Sequence, residues 1–503
     1  MEQTDKRNLL ILLFVSLILS TFLFFQTYVI SMDGAFQYVP MARLFVGGSL
    51  LDAINYSGQQ PLYPSMIALV SPWVADLELA GRLISSFFGV LLVFPVYFLT
   101  RRVADERVAL ISAFLLIIHP YIRRFSADVL KESTYLFFLG MGLWFTLRAI
   151  QRDRIVLFIF VPILAVAAYL VRADGIEIIL SVFVYVLFIE KAAQPRKKIK
   201  VIGTLLLCSG LLLLPYLAHL KGLTGVWTLS KTKSILGLLG LGQTTGDVPI
   251  LSRMLYSLQE LNWTIFRVNH PLYMLLFVIG LATKIRFGLR KGEGFLIIFL
   301  FVHYLVLYLM ILNLTDWSGD KRGWFFFFSG RHVVPLLLVS TPWVGEGFLT
   351  VYRWTRKRAE SIRLFHGSNP QRRLAALLPV LLVLVVAIIL PKTLKPQRYE
   401  RLPEKWAGSW IKAHSGTGVT ILTTLPRVAY YAEGNYVSID FQRDGVNQIQ
   451  TSMLQSSPLY VVLRQREPTD YPEKFDSIKN NFSEVRRYSE REMERITVYK
   501  RVE

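Results

Sequence analysis

Apolar runs close to bilayer length recur from one end of this chain almost to the other, and no other feature restricts its fold as strongly. In hydrocarbon every backbone N–H and C=O must find a partner inside the protein, so a run of about twenty apolar residues is a helix. Such runs fall at about 9–30, 82–100, 108–120, 133–150, 155–171, 175–190, 201–220, 271–283, 294–314, 333–352 and 374–390. With 53% hydrophobic and 13% aromatic residues, the composition is too apolar for a water-soluble domain. The expected fold is an all-α polytopic membrane protein of about eleven helices. The first run, Leu9 to Ile30, lacks a small-residue cleavage site and is expected to be a retained helix.

A formal charge of +21 raises the question of nucleic acid, but the Lys and Arg lie in short clusters between apolar runs, not along one face. With a cytoplasmic N-terminus, the inside segments 1–8, 101–107, 148–154, 191–200, 284–293 and 353–373 hold 24 Lys and Arg in 63 residues. The outside segments 32–81, 121–132, 172–174, 221–270 and 315–332 hold 13 in 133. Positive-inside asymmetry therefore predicts that orientation. Segment 62–75, punctuated by Pro61, Pro64 and Pro72, is expected to lie at the interface, because a full span there inverts every later loop. The single cysteine, Cys208, lies in an apolar run and excludes an internal disulfide.

Eleven spans put residues 391–503 on the far side. The strand-like runs Val419–Thr424, Tyr436–Ile439, Leu459–Leu463 and Ile496–Tyr499, after a helix-like stretch with Trp406 and Trp410, read as a small α/β domain. The domains expected are 1–390 and 391–503.

Charged groups beside membrane helices are costly and mark candidate sites. Asp33 follows the first helix, where a carboxylate acts either as a general base on an acceptor hydroxyl or as a helix cap. The outer loop His119 to Glu132 carries Arg123, Arg124, Asp128 and Glu132. Two arginines there run against the positive-inside trend, and they fit either a phosphate or internal pairing. Arg82, Arg172 and Arg331 stand at other outer helix ends, positions equally suited to headgroup contact. The seven histidines show no metal-binding spacing, and neither Gly-rich phosphate-loop motif is present, so no metal, cofactor or nucleotide fold is expected.

The order of motifs resembles a known family. An acid after helix 1 is followed by Ala42-Arg43-Leu44-Phe45-Val46-Gly47-Gly48, Gln60-Pro61-Leu62-Tyr63-Pro64 and Gly81-Arg82-Leu83-Ile84-Ser85. Then come Ser126 to Tyr135, Arg172-Ala173-Asp174-Gly175, Arg331-His332-Val333-Val334-Pro335 and, in the tail, Ala429-Tyr430-Tyr431-Ala432 and Ile496-Thr497-Val498-Tyr499. This resembles the family 39 type of C-type membrane glycosyltransferases, relatives of the protein O-mannosyltransferases and of the aminoarabinose transferase of lipid A.

The resemblance implies an inverting transfer of sugar from a polyprenyl-phosphate donor to a lipid, glycan or protein acceptor outside the plasma membrane. It implies Asp33 as base, Glu132 or Asp128 as the second acid, and Arg172 and Arg331 on the lipid phosphate. Two departures stand out. Gly34 occupies the place of a second first-loop acid, and Gln60 stands where some relatives have Lys, leaving Arg82 or Arg123 as substitutes. The competing reading is a transporter or lipid flippase. Those usually place charge near the midplane and show repeated halves, and neither is evident here.

Overall fold

Each of the eleven expected runs contains helix in the computed structural model, which describes residues 3–189, 195–231, 239, 248–315, 317, 328–361, 374, 376–442, 444–490 and 492–502. Among these residues six helices are long and apolar enough to cross a membrane: Gln3–Phe25, Leu77–Val103, Glu132–Arg152, Pro195–Thr224, Glu293–Leu314 and Val334–Glu360. Two pairs qualify only when joined: Glu106–Ile118 with Pro120–Ser126, bent by 62°, and Ile250–Asn269 with Pro271–Phe287, bent by 99°. Both bends fall at a His-Pro step. Proline bars the preceding residue from helical geometry, and His119 and His270 accordingly have ψ of 129° and 134°.

Besides short helices, one long helix in an outer segment was not expected. Ile250–Asn269 lies within the segment read as an outer loop, nearly perpendicular to the helix that follows. Its Arg253, Ser257, Leu261 and Thr264 are buried on one face, while Leu251, Leu255, Leu258 and Trp263 are exposed. An amphipathic helix has no continuous apolar run, so a search for bilayer-length runs passes over it. Leu62–Val74, by contrast, has only 13 residues. At 1.5 Å per residue that is ~20 Å, too short to span.

Contacts sort the connecting segments into two sets. At one end Arg101 meets Asp5, Asn8 meets Glu106, Gln151 donates to the carbonyls of Arg102 and Lys291, and Lys197 meets Asp153. At the other end Asp33, Glu132, Arg172 and Arg331 converge. These are the two groups that the charge asymmetry separates.

The C-terminal part is a mixed five-stranded sheet: β1 Thr420–Thr423, β2 Asn435–Ser438, β3 Tyr460–Arg464, β4 Phe482–Tyr488 and β5 Ile496–Arg501, in the order β2-β1-β3-β5-β4. The first three are parallel, and β5 runs antiparallel to β3 and β4. The one strand not anticipated, β4, is an edge strand whose five central residues are exposed, so it lacks the apolar alternation of a half-buried strand. The sheet is tied to the segment after the first helix. Gln397 exchanges backbone hydrogen bonds with Gln26 and Tyr28, the Tyr431 hydroxyl accepts from the Ile30 N–H at 2.9 Å, and Arg427 donates to the Ile30 carbonyl at 2.8 Å.

Candidate active site

Asp33 leads into a five-residue π-helix, Gly34–Tyr38, a distortion often found at functional sites. Its carboxylate does not cap that helix; it is paired with Arg331. Gly34 leaves no room for a second acid, because a Cβ there would stand 2.8 Å from Ser31 Oγ and 2.9 Å from the Val129 Cβ.

Glu132 opens the helix Glu132–Arg152 and is 1% exposed. Its two oxygens accept no hydrogen bond among the described residues, yet it lies 3.7 Å from Arg172 Nη1 and 3.9 Å from Arg331 Nη1. Arg172 follows Leu157–Val171 in extended backbone, where Nε donates to Asp174 at 2.7 Å and Nη1 to the Arg331 carbonyl at 3.2 Å. Arg331 sits in the 3-10 turn Gly330–His332 before the helix Val334–Glu360. Burial alone pulls its pKa down, but Glu132 and Asp33 outweigh that and hold it above the ordinary value.

Buried His303 braces that turn. Its Nε2 is 2.9 Å from the His332 carbonyl, an acceptor only, so Nε2 carries the proton. Its Nδ1 is 2.5 Å from Glu177.

Asp33, Glu132, Arg172, Asp174 and Arg331 line a cavity of about 540 Å³ together with Tyr38, Gln59, Gln60, Lys131 and His332. Lys131 was not singled out in the sequence, although it precedes Glu132. Its ammonium bonds Gln59 and lies 5.7 Å from the centre of the Tyr38 ring. Burial and the neighbouring Arg172 bring its pKa down to about 8. It therefore puts a cation beside Gln60, where the resemblance left one missing. Burial, with Asp33 and Glu132 nearby, pushes the Tyr38 hydroxyl well above its ordinary pKa, so it stays a neutral donor.

Three other candidates lie at different contacts. Asp128 is buried, with Oδ1 accepting from the N–H groups of Ser31 at 3.0 Å and Val129 at 2.7 Å while Oδ2 pairs with Arg398. Arg82 donates to the Thr27 carbonyl at 2.6 Å and to Glu78 at 2.5 Å. Arg123 donates to Ser16 at 3.1 Å, Ser20 at 2.8 Å and the Gly89 carbonyl at 3.1 Å. None of the three lines the cavity. Of the two loop acids only Glu132 does, because the helix begins at that residue and turns it inward.

Residues 59–219 match a family model described as dolichyl-phosphate-mannose-protein mannosyltransferase. No curated protein matches the sequence. Among solved structures, ArnT from Cupriavidus metallidurans, bound to undecaprenyl phosphate, is similar over 99% of this chain and 98% of its own, with a TM-score of 0.63 and 12% identity. The archaeal oligosaccharyltransferase AglB from Archaeoglobus fulgidus, in complex with an inhibitory peptide and a dolichol-phosphate, is similar over 97% of this chain and 74% of its own, at 0.55 and 12%. The arabinofuranosyltransferase AftD from Mycobacteria covers 98% of this chain and 41% of its own, at 0.51 and 14%.

The fold is that of these C-type membrane glycosyltransferases. Within that class, the similarity in sequence is to the dolichyl-phosphate-mannose protein mannosyltransferases, through residues 59–219.

Proposed function

We propose that this enzyme transfers a sugar, with inversion, from a polyprenyl-phosphate-linked donor to a lipid, glycan or protein acceptor on the extracytoplasmic side of the plasma membrane. One observation carries the reading: three cations, Lys131, Arg172 and Arg331, meet three acids, Asp33, Glu132 and Asp174, in one cavity at the end of the bundle nearest the C-terminal sheet. Guanidinium groups suit a phosphodiester through their planar fork, and Lys131 adds a point charge. The neighbours ArnT and AglB were solved with undecaprenyl phosphate and a dolichol-phosphate, which supports a polyprenyl phosphate here.

The Arg331–Asp33 pair suggests the order of events. An arriving phosphate competes for Arg331 and frees the Asp33 carboxylate to accept a hydrogen bond from the acceptor. The acceptor hydroxyl then attacks the anomeric carbon as its proton passes to Asp33. The bond from that carbon to the phosphate oxygen breaks, and the polyprenyl phosphate leaves with the added charge, stabilised by Arg172, Arg331 and Lys131. Glu132 orients the two arginines.

We assign residues 1–390 to the transferase domain and 391–503 to an extracytoplasmic domain, with the N-terminus cytoplasmic on the charge asymmetry. Mass spectrometry of envelope glycolipids and glycoproteins, with the gene present, deleted, or restored as Asp33→Asn, tests the reading. A mass increment absent from both the deletion and the variant is expected. An unchanged inventory in the deletion strain favours a transporter or flippase instead.

A further inference from the structure

A second cavity, of about 420 Å³, lies in the C-terminal sheet and has no part in the steps above. Chain topology accounts for its position. With β1 between β2 and β3 and all three parallel, the chain goes from β1 to one neighbour and then crosses to the other. The first connection, Pro426–Ala432, packs on one face of the sheet, and the second, Val446–Ser456, on the opposite face. Connections that leave in opposite directions open a crevice at the carboxyl ends of the strands, where ligands of open α/β sheets bind. The cavity is there, walled by Thr424 just after β1, Ser438 ending β2 and Arg464 ending β3.

Its chemistry narrows the ligand. Arg464 is engaged by Glu467 at 3.1 Å and Glu494 at 2.5 Å. The exposed side chains of Arg466 and Asp470, in contrast, have no ion-pair or hydrogen-bond partner among the described residues, each other included. Asp440, Glu467 and Asp470 oppose an anion, and Arg464 and Arg466 oppose a cation. A neutral polyhydroxyl ligand suits both, since its hydroxyls accept from Arg466 and donate to Asp470. Tyr436 and Tyr471 add ring faces for its apolar side. The cavity also abuts the transfer site: Met32, beside Asp33, is one of its walls, and Phe36 of the π-helix packs edge-on against Tyr436 at 5.4 Å.

We propose that this crevice is an acceptor subsite that holds a neutral carbohydrate portion of the acceptor next to Asp33. The proposal rests on the transfer reading above. It is tested in the full-length protein in its own membrane, with the photo-cross-linker p-benzoylphenylalanine replacing Tyr471, replacing Gln442 on another wall, or replacing exposed Val485 on β4 as the control. Irradiation is expected to attach periodate-oxidisable carbohydrate at 471 or 442 and none at 485. The yield should be equal in an Asp33→Asn background, because binding does not need the base. Adding Arg466→Ala with Asp470→Asn should lower it about tenfold, the loss of one charge-assisted hydrogen bond or more. Adducts of peptide or phospholipid without carbohydrate, equal yields at all three positions, or no adduct at 471 and 442 overturn the subsite. Carbohydrate at 471 or 442 supports it whatever Asp33→Asn does to transfer. Loss of transfer in Asp33→Asn without such an adduct leaves the base in place and removes the subsite.

Discussion

At the scale of single residues, Asp33 is held by Arg331 and does not cap the helix it precedes. Asp33→Asn keeps the shape and removes the basicity. With purified protein and a polyprenyl-phosphate-sugar, transfer should fall by about a hundredfold or more while donor binding stays near normal. Transfer close to the wild-type rate removes Asp33 from the mechanism. Arg172→Lys and Arg331→Lys keep the charge but lose the planar fork, so the apparent donor affinity should drop in both. Unchanged affinity in both variants takes them out of the site. Lys131 predicts a pH dependence. Its pKa, brought down to about 8, leaves it charged below that pH and neutral above. The donor's phosphodiester keeps one negative charge throughout, so affinity should weaken as pH rises through about 8, by roughly tenfold for one lost charge-assisted bond. Lys131→Met should bind weakly at every pH and lose that limb; a limb that persists in the variant belongs to another group.

At the scale of elements, the bend at His270-Pro271 and the tight seam beyond it set where Arg331 stands. Pro271–Phe287 packs against Val334–Glu360, the helix that follows the Arg331 turn. A Cβ on Gly280 would lie 1.8 Å from the Trp343 carbonyl oxygen, and one on Gly347 would lie 1.9 Å from that of Leu276. Both obstacles are backbone and cannot rotate away, so the seam depends on the two glycines. Gly347→Ala should therefore lower unfolding stability by about 1–3 kcal/mol, read as an earlier thermal midpoint in detergent. Gly203→Ala, in Pro195–Thr224 with nothing within 4 Å of the added carbon, should leave the midpoint level or raise it. Equal midpoints for the two variants would mean that the seam yields. The amphipathic helix Ile250–Asn269 shows the limit of run-based reading: its alternating faces carry the information, and Arg253, Glu260 and Arg267 break any continuous run.

At the scale of the whole molecule, the connecting segments divide between two ends, and the site and the C-terminal sheet share one of them. The proposed orientation, with the end opposite the site in the cytoplasm, rests on the 24 Lys and Arg against 13. Reporter fusions after residues 152, 196, 288 and 360 should read cytoplasmic, and fusions after 127 and 430 external. A further position, 240, lies outside the described residues. An external reading at 196 would reverse the orientation and place the proposed chemistry on the wrong side for an external acceptor.

What the sequence determined by itself was set by short-range rules. Bilayer-length apolar runs specify helices, loop charge separates two sides, and β-branched runs between turn residues mark four of the five strands. Asp33, Arg172 and Arg331 were legible for the same reason, as charges at helix ends where solvation alone makes them conspicuous. Tertiary structure alone decided which charges share a cavity. Asp128 and Glu132 are four residues apart in one loop, yet Asp128 meets Arg398, some 270 residues on, while Glu132 meets Arg172 and Arg331. Lys131 gains its setting only in the fold, which brings Gln59 and Arg172 beside it. The physical reason is that pairing depends on direction and burial within a few ångströms, and sequence spacing carries neither across contacts hundreds of residues long.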